Sequence, residues 1–370
     1  MRILQFIDTP GPGGAEDVFV ELAAGCVGAG HECVALVPGN GWISEALDRR
    51  GVRTEITAPT GSFSFGFLRD ILRVVRRHRI EVIHSHLFGA SIYAAVASRL
   101  ASVPLVATFH GTVDVPPSLR LVRIKAAAVR NADRLVAVSD QLRDYLLKPL
   151  GLTPDRMDVI PNGIETERFL HAEPADLRGP HNIGKQAFII GSVGNIRAPK
   201  AYLTGIRSLR LLRDDGTDAH WFIAGQPDES GEIMASLQAE AKRLGVAEFV
   251  HFLGFVPRPE RFLAALDCYL LSSDSEGHPL ALCQAMTSGR PVVATRCGVE
   301  AFLEDGRNAL LVPVGAPREM ATALRAVHAD PISSACRVER ARRHALEFFD
   351  RAISLGRYLK IYQALVSRRR

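Results

Sequence analysis

Apolar residues along this chain fall into two patterns. Short unbroken runs, such as RILQFID at 2–8 and ECVALVP at 32–38, read as strands buried on both faces, whereas stretches with apolar positions at helical spacing read as amphipathic helices. The first half carries further runs at VIHSH (82–86), PLVATFH (104–110), RLVAVS (134–139) and MDVIPNG (157–163). The second half begins the series again with FIIGSVG (188–194), HWFIAG (220–225), FVHFLGF (249–255), CYLLSS (268–273), PVVAT (291–295) and ALLVP (309–313). Strand and helix alternate almost throughout, which is the pattern of α/β domains whose parallel sheet is covered by helices on both faces. A series that restarts predicts two Rossmann-like, doubly wound domains.

Periodicity lapses in HAEPADLRGPHNIGKQ, 171–186, where Pro, Gly and charge replace it, and this stretch reads as a linker. The expected domains are therefore 1–172 and 184–351. The last segment, LEFFDRAISLGRYLKIYQALVSRRR, has a helical pattern from about 352 to 370 that could cross back to the first domain. Open parallel sheets bind ligands at the carboxyl ends of their strands, so two such domains in tandem suggest a central cleft. At 370 residues the chain exceeds the roughly 250–300 at which one core stops growing, in keeping with two domains.

Composition narrows the setting. The six cysteines, Cys26, Cys33, Cys268, Cys283, Cys297 and Cys336, show no C-x-x-C spacing and mostly sit among apolar neighbours, which suits buried thiols in a reducing compartment. MRILQFIDTP lacks the features of a secretory signal, and no apolar stretch reaches the ~20 residues that cross a bilayer, so a cytoplasmic protein is expected. Net charge is only +5, yet basic residues cluster in RDILRVVRRHR (69–79), LRLVRIKAAAVR (119–130) and the final SRRR. Nucleic acid, anionic lipid or a phosphorylated substrate would each explain this. So would a solvated helix face, with Leu68, Ile71, Leu72 and Val75 turned to a core and Arg69, Arg73, Arg76 and Arg77 to water.

Four segments carry candidate chemistry. TPGPGGAED, 9–17, follows the first strand; Gly11 and Gly13 mimic a dinucleotide fingerprint, but Glu16 holds the third glycine position and would repel a pyrophosphate. Glu16 could instead accept hydrogen bonds from hydroxyls, or simply be the acidic start of a helix. GKQ at 184–186 is not a P-loop, because it lacks the upstream glycine spacing and the Ser/Thr. Imidazoles at strand ends, His84, His86 and His110, would reach one rim of a sheet; no carboxylate or Cys motif accompanies them, so substrate hydrogen bonding is preferred to a metal site.

In GSVGNIRAPKA, 191–201, Gly191 and Gly194 permit a tight turn, and Arg197 and Lys200 follow at a spacing that lets both reach one diphosphate. A solvated basic loop is the plainer alternative. CYLLSSDSEGH runs from a strand into a loop, Pro279 suits a helix start and Gly289 a helix end. Amides at that helix start form an anion site, with Glu276 facing whatever the anion carries. Gln284 lies further along the same helix, where an unpaired amide would cost ~1–3 kcal/mol, so a polar partner such as a ribose is expected.

Taken together, these segments resemble the retaining GT-B glycosyltransferases of family 4 over nearly the whole chain. GGAE (13–16), HSHLFGA (84–90), TFHGT (108–112), ADRLVAVSDQLRDYL (132–146), VIPNGIETERF (159–169) and NALLVP (308–313) occur in that family's order, and SEGHPLALCQAMTSGRPVVAT is similar to its Glu-x7-Glu element. The resemblance implies a GT-B fold with two Rossmann-like domains facing a cleft, a nucleotide-sugar donor of UDP type rather than GDP type, and no cofactor or metal.

Position by position, the resemblance implies that Gly14 lies beside the donor phosphates and the acceptor. It puts His110 on the transferred sugar, Arg197 and Lys200 on the diphosphate, and Glu276 on the donor sugar. Gly277, His278, Pro279 and Leu280 would form the phosphate loop, while Glu16 and His86 lie on the acceptor side. The chain departs from the family at Asn195, where Arg is usual, at Ala201, where Gly is usual, and at Gln284, where the second Glu would grip a ribose. RCGVE at 296–300 is shorter than the family's glycine-rich equivalent, but Glu300 aligns with its acidic residue. Gln keeps the length but loses a charge-assisted bond.

Such an enzyme would let Arg197, Lys200 and helix-start amides stabilise the departing diphosphate, the electrostatic route that supplies much of catalysis. The acceptor implied is a hydroxyl on a glycan or lipid-linked glycan of cell-surface polysaccharide synthesis. Basic helices would hold the first domain on the inner face of an anionic membrane, and nucleic acid is not an expected partner. Two other readings are a weakened homologue that still binds nucleotide, because of Asn195 and Gln284, and a sugar-nucleotide epimerase of GT-B type.

Overall fold

The computed structural model describes residues 1–58, 64–111, 126–127, 129–228 and 230–369. It divides into two compact units, Met1–Gly163 with Arg351–Arg370, and Ile164–Asp350.

The first unit is built on a seven-stranded, wholly parallel sheet in the order β3-β2-β1-β4-β5-β6-β7. Its strands are β1 (Arg2–Phe6), β2 (Glu32–Val37), β3 (Arg53–Ile56), β4 (Val82–His86), β5 (Leu105–Phe109), β6 (Arg134–Ala137) and β7 (Met157–Val159). The central strands are unbroken apolar or buried runs, as a sheet covered on both faces requires. The edge strand β3 has no such run: three of the four residues of RTEI are polar, none is fully buried, and the hydrophobic pattern does not predict it. The C-terminal helix, Arg351–Ser367, belongs to this unit and buries Tyr358, Tyr362, Leu365 and Val366 in the core that contains Ile3, Ile7 and Val82.

The second unit repeats the design with six parallel strands, β10-β9-β8-β11-β12-β13. These are β8 (Phe188–Val193), β9 (Ala219–Ala224), β10 (Val250–Gly254), β11 (Cys268–Leu271), β12 (Val292–Thr295) and β13 (Leu310–Val312). In each sheet the strand order reverses direction beside the first strand, between β1 and β4 and between β8 and β11. Ligands of doubly wound sheets bind outside the carboxyl ends at such a point.

Two boundaries differ from the sequence reading. Residues from Ile164 onward, including the short helix Thr166–Leu170, belong to the second unit rather than the first. The stretch 171–186 is packed onto that unit and is not a free linker: Leu177 and Ile183 enter its core, and the Arg178 guanidinium donates to the carbonyls of Gly184 and Ala187. Five cysteines are buried and Cys336 is exposed, all as free thiols.

Helix Phe65–Arg77 is amphipathic, with Phe67, Leu68, Ile71, Val74 and Val75 buried and Arg69, Arg73, Arg76 and Arg77 exposed. Of the second basic stretch, 119–130, residues 119–125 and 128 lie outside the described residues. Among the described residues no helix is long and apolar enough to cross a membrane.

Candidate functional site

In the second unit the switch point brings together the loops after β8 and β11. Backbone approach there is close: a Cβ on Gly225 would stand 1.9 Å from the Gly194 carbonyl oxygen, so the end of β9 must be glycine for the β8 loop to pass. From Gly194 the chain runs through Asn195, whose Oδ1 accepts from the Gln226 amide at 3.2 Å, into a short 3-10 turn, Ala198–Lys200. Ala201 follows in the left-handed region, φ +47° and ψ +39°, a conformation that favours glycine.

Lys200 is the cation that this loop delivers. Its Nζ donates to Glu276 Oε1 at 2.7 Å, and the same oxygen accepts from Ser273 Oγ at 2.6 Å. The two loops are also laced through the backbone: Ser272 Oγ donates to the Lys200 carbonyl at 2.8 Å, and the Asp274 amide to the Pro199 carbonyl at 2.8 Å. The Glu276 amide donates to the Cys297 carbonyl, which ties the loop to the end of β12. The Glu276 side chain is 12% exposed and that of Lys200 25%, so the pair is partly buried but open to a ligand. Beside them, burial and then the Glu276 charge push the Tyr202 phenol far above its ordinary range. Tyr202 stays neutral and donates to the Gly194 carbonyl at 2.8 Å.

Helix Leu280–Thr287 starts directly after this acidic loop. Pro279 occupies its N-cap and Gly289 takes φ +68° just past its end. Gly277 and Pro279 are buried, and Leu280 is half-buried. The first amides of any helix lack intrahelical acceptors, so this helix start offers donors beside Lys200 and Glu276. Gln284 is half-buried one turn on, and its side chain makes no hydrogen bond among the described residues.

Two residues named from the sequence stand outside the Lys200–Glu276 contact. The His278 ring points into the core against Phe302, Phe349 and Cys283, and burial lowers its pKa to about 4. Only its backbone remains for a ligand, because the strand-to-helix turn directs the ring inward. Arg197 shares the loop of Lys200 but is exposed, and lines a cavity of about 300 Å³ with Tyr202, Glu232 and Ile233. Among the described residues it makes no ion pair with Glu276.

In the first unit the carboxyl ends of β1 and β4 carry the candidates. Gly14 is exposed at the start of helix Gly14–Gly28. Glu16, in the first turn of that helix, is buried, and its Oε1 accepts from Thr9 Oγ1 at 2.5 Å. This bond ties the first turn of the helix to the loop after β1. Asp8, which that reading passed over, packs its carboxyl onto the start of helix Phe88–Ala101, where a Cβ on Gly89 would collide with it. Burial, with a contribution from the Glu16 charge, raises its pKa from 3.8 to about 6. A polar residue ending an apolar strand was the available signal.

His84 and His86 lie on one face of β4 and are fully buried, so neither reaches the rim expected of them. His86 Nδ1 is 3.0 Å from His110 Nε2, so these two nitrogens share a hydrogen bond. His110 is half-buried at the end of β5 and also hydrogen-bonds the Asn162 side chain. Burial lowers its pKa to about 4 and holds His84 and His86 lower than usual too. All three imidazoles are neutral at pH 7.

Comparison with known proteins places this geometry. Residues 12–168 match Glycosyltransferase Family 4 and residues 187–330 match Glycosyl transferases group 1. A D-inositol 3-phosphate glycosyltransferase of Kribbella flavida is 30% identical over 72% of this chain and 68% of its own. The chain belongs to glycosyltransferase family 4. The enzyme of the same name from Rhodococcus jostii is 28% identical over 82% of this chain and 70% of its own. Anabaena HepE, solved in complex with UDP-glucose, superposes with a TM-score of 0.88 at 20% identity, covering 98% of this chain and 100% of that one. The fold is therefore GT-B. This family 4 enzyme is a hexosyltransferase that moves a sugar from a nucleotide-sugar donor with retention of configuration. That removes the epimerase reading.

Proposed function

We propose that the donor is a UDP-sugar held by the second unit, with Lys200 and Glu276 at its reacting end. The observation that carries this reading is the 2.7 Å contact between Lys200 Nζ and Glu276 Oε1 beside the start of helix Leu280–Thr287. Departure of the nucleoside diphosphate leaves negative charge on its phosphate, which Lys200, Arg197 and the backbone N–H groups of Gly277, His278 and Leu280 stabilise. Glu276 accepts hydrogen bonds from the sugar hydroxyls while keeping Lys200 in place. Gln284 meets the ribose, Asn195 shapes the loop under the phosphates, and Gly14 gives them close backbone approach. His110 contacts the transferred sugar. The donor bound by Anabaena HepE supports a uridine nucleotide.

The acceptor in this reading is a hydroxyl on a glycan or lipid-linked glycan. Helix Phe65–Arg77 supports it: four exposed arginines and Phe65, which is 79% exposed, suit an anionic membrane surface where such an acceptor resides. A second reading, a phosphorylated polyol acceptor, is favoured by the relatives named for D-inositol 3-phosphate.

The test is a thermal-shift panel of UDP-glucose, UDP-galactose, UDP-N-acetylglucosamine and GDP-mannose. Product analysis follows with D-inositol 3-phosphate and with lipid-linked glycans. A ligand that binds only the folded state raises its stability by mass action. Stabilisation by UDP-sugars alone supports the donor, and stabilisation by GDP-mannose alone overturns it. Failure to pellet with anionic liposomes at low salt would remove the membrane role.

A further inference from the structure

His110, which also hydrogen-bonds the Asn162 side chain, joins a buried chain of hydrogen bonds that runs back to the C-terminal helix, all within the first unit. His110 Nε2 lies 3.0 Å from His86 Nδ1, and His86 Nε2 lies 3.0 Å from Gln5 Oε1. Gln5 Nε2 donates to the Tyr362 hydroxyl at 3.2 Å, and that oxygen is 2.5 Å from His84 Nδ1. His84 Nε2 is 2.8 Å from Thr108 Oγ1, which stands 3.2 Å from the Tyr358 hydroxyl. Gln5, His84, His86, Thr108 and Tyr362 are completely buried, so no water competes for these bonds.

The chain has a direction, and Gln5 sets it. A neutral imidazole donates from one ring nitrogen and accepts at the other. The Gln5 carbonyl only accepts, so His86 donates from Nε2 and accepts at Nδ1, which obliges His110 to donate from Nε2. The Gln5 amino group only donates, so the Tyr362 oxygen accepts from it and passes its own proton to His84 Nδ1. His84 then donates to Thr108, and Thr108 to Tyr358. Turning the Gln5 amide around would reverse every bond and put the opposite tautomer on His110. The short contact between Tyr362 and His84 favours the first direction, because hydroxyl donors make shorter bonds than ring N–H donors.

We propose that Gln5 and Tyr362 are positioning residues that, through His86, hold His110 in the tautomer donating from Nε2 and accepting at Nδ1. In this tautomer Nδ1, which is buried, is the acceptor of the ring, and the Asn162 side chain also hydrogen-bonds His110. This deepens the functional reading above in one respect, since the sugar contact of His110 rests on it. The tautomer does not.

The experiment uses the full chain labelled with 15N-histidine, its ring nitrogens read by long-range proton–nitrogen correlation at pH 7.5 without substrate, with a His110→Asn variant to assign the signals. In the wild type, Nε2 of both His86 and His110 should be protonated and Nδ1 of both should be bare. Tyr362→Phe keeps the ring and Gln5→Met keeps the bulk, and each should turn His110 into a mixture of tautomers. With UDP-glucose as donor, kcat should fall roughly 10–100-fold, the scale of a positioning defect, while the donor KM stays within about twofold. A wild-type His110 protonated at Nδ1 overturns the proposal, as does a variant that loses activity with its His110 tautomer unchanged. If Gln5→Met does not fold, Tyr362→Phe decides alone. A wild type that transfers no sugar would sink the functional reading and leave the tautomer result standing.

Discussion

Lys200 Nζ and Glu276 Oε1 stand 2.7 Å apart although the residues come from loops after different strands, β8 and β11. The bonds from the Ser272 hydroxyl to the Lys200 carbonyl and from the Asp274 amide to the Pro199 carbonyl fix that meeting before any ligand arrives. A preorganised cation costs no reorganisation when phosphate charge develops. Lys200→Met should therefore lower kcat by roughly 10²–10³, the usual loss for one such electrostatic donor. Glu276→Gln should lower it comparably, since Lys200 then loses its anchor. Steady-state kinetics with the donor found in the thermal-shift panel checks both, and a loss confined to KM would count against the role.

Ala201 holds φ +47° directly after Lys200. For a residue with a Cβ this conformation costs about 1–2 kcal/mol, while glycine pays back part of that through its freer unfolded chain. Ala201→Gly should stabilise the protein by roughly 0.5–1 kcal/mol, read as a higher denaturant midpoint with an unchanged slope. Activity should change little, because the Lys200–Glu276 contact does not depend on the alanine methyl.

Much of this architecture can be read from the sequence, and the exceptions share a cause. Strands buried on both faces announce themselves as apolar runs, so β8 to β13 lie where their hydrophobic stretches predict. RTEI escapes because an edge strand has little to bury, and Leu177 and Ile183 escape because isolated apolar residues in a polar stretch carry no period. At the site, the sequence names Lys200 and Glu276, which the structure brings into contact, but not where a ring points. His278 turns into the core and His86 stands behind His110, both decided by tertiary packing. Gln5, a lone polar residue inside the apolar run RILQF, shows how little signal a buried positioning group leaves.

Acid should unfold this protein earlier than its net charge suggests. Burial lowers the pKa of His84, His86, His110 and His278, with His110 and His278 near 4. A histidine whose folded pKa is depressed supports stability above its unfolded value of 6.5, and that support is lost as pH falls toward the folded value. His110 and His278 should each cost roughly 2 kcal/mol at pH 5. Asp8 works the other way: its pKa is raised to about 6, so its contribution is full below 3.8 and disappears as pH rises through 6. Asp8→Asn should then be more stable than the wild type at pH 7, by roughly 1–3 kcal/mol, with the difference closing near pH 4. Urea titrations of both proteins from pH 4 to 8 measure this, and a constant difference across that range would contradict it.

Gln284 occupies the place where the family resemblance implies a second Glu, and its amide is half-buried with no hydrogen bond among the described residues. An amide can meet a ribose hydroxyl as acceptor or donor, but a carboxylate accepts more strongly, since charge-assisted bonds are roughly twice as strong as neutral ones. Gln284→Glu should therefore lower the Kd for the UDP-sugar about fivefold, equivalent to roughly 1 kcal/mol, and leave kcat nearly unchanged. A gain of this kind would be uniform binding of ground and transition states, visible in KM alone. The opposite result, weaker binding by the Glu variant in isothermal titration, would mean that Gln284 uses its amino group as a donor and that its partner is a carbonyl of the base or a phosphate oxygen.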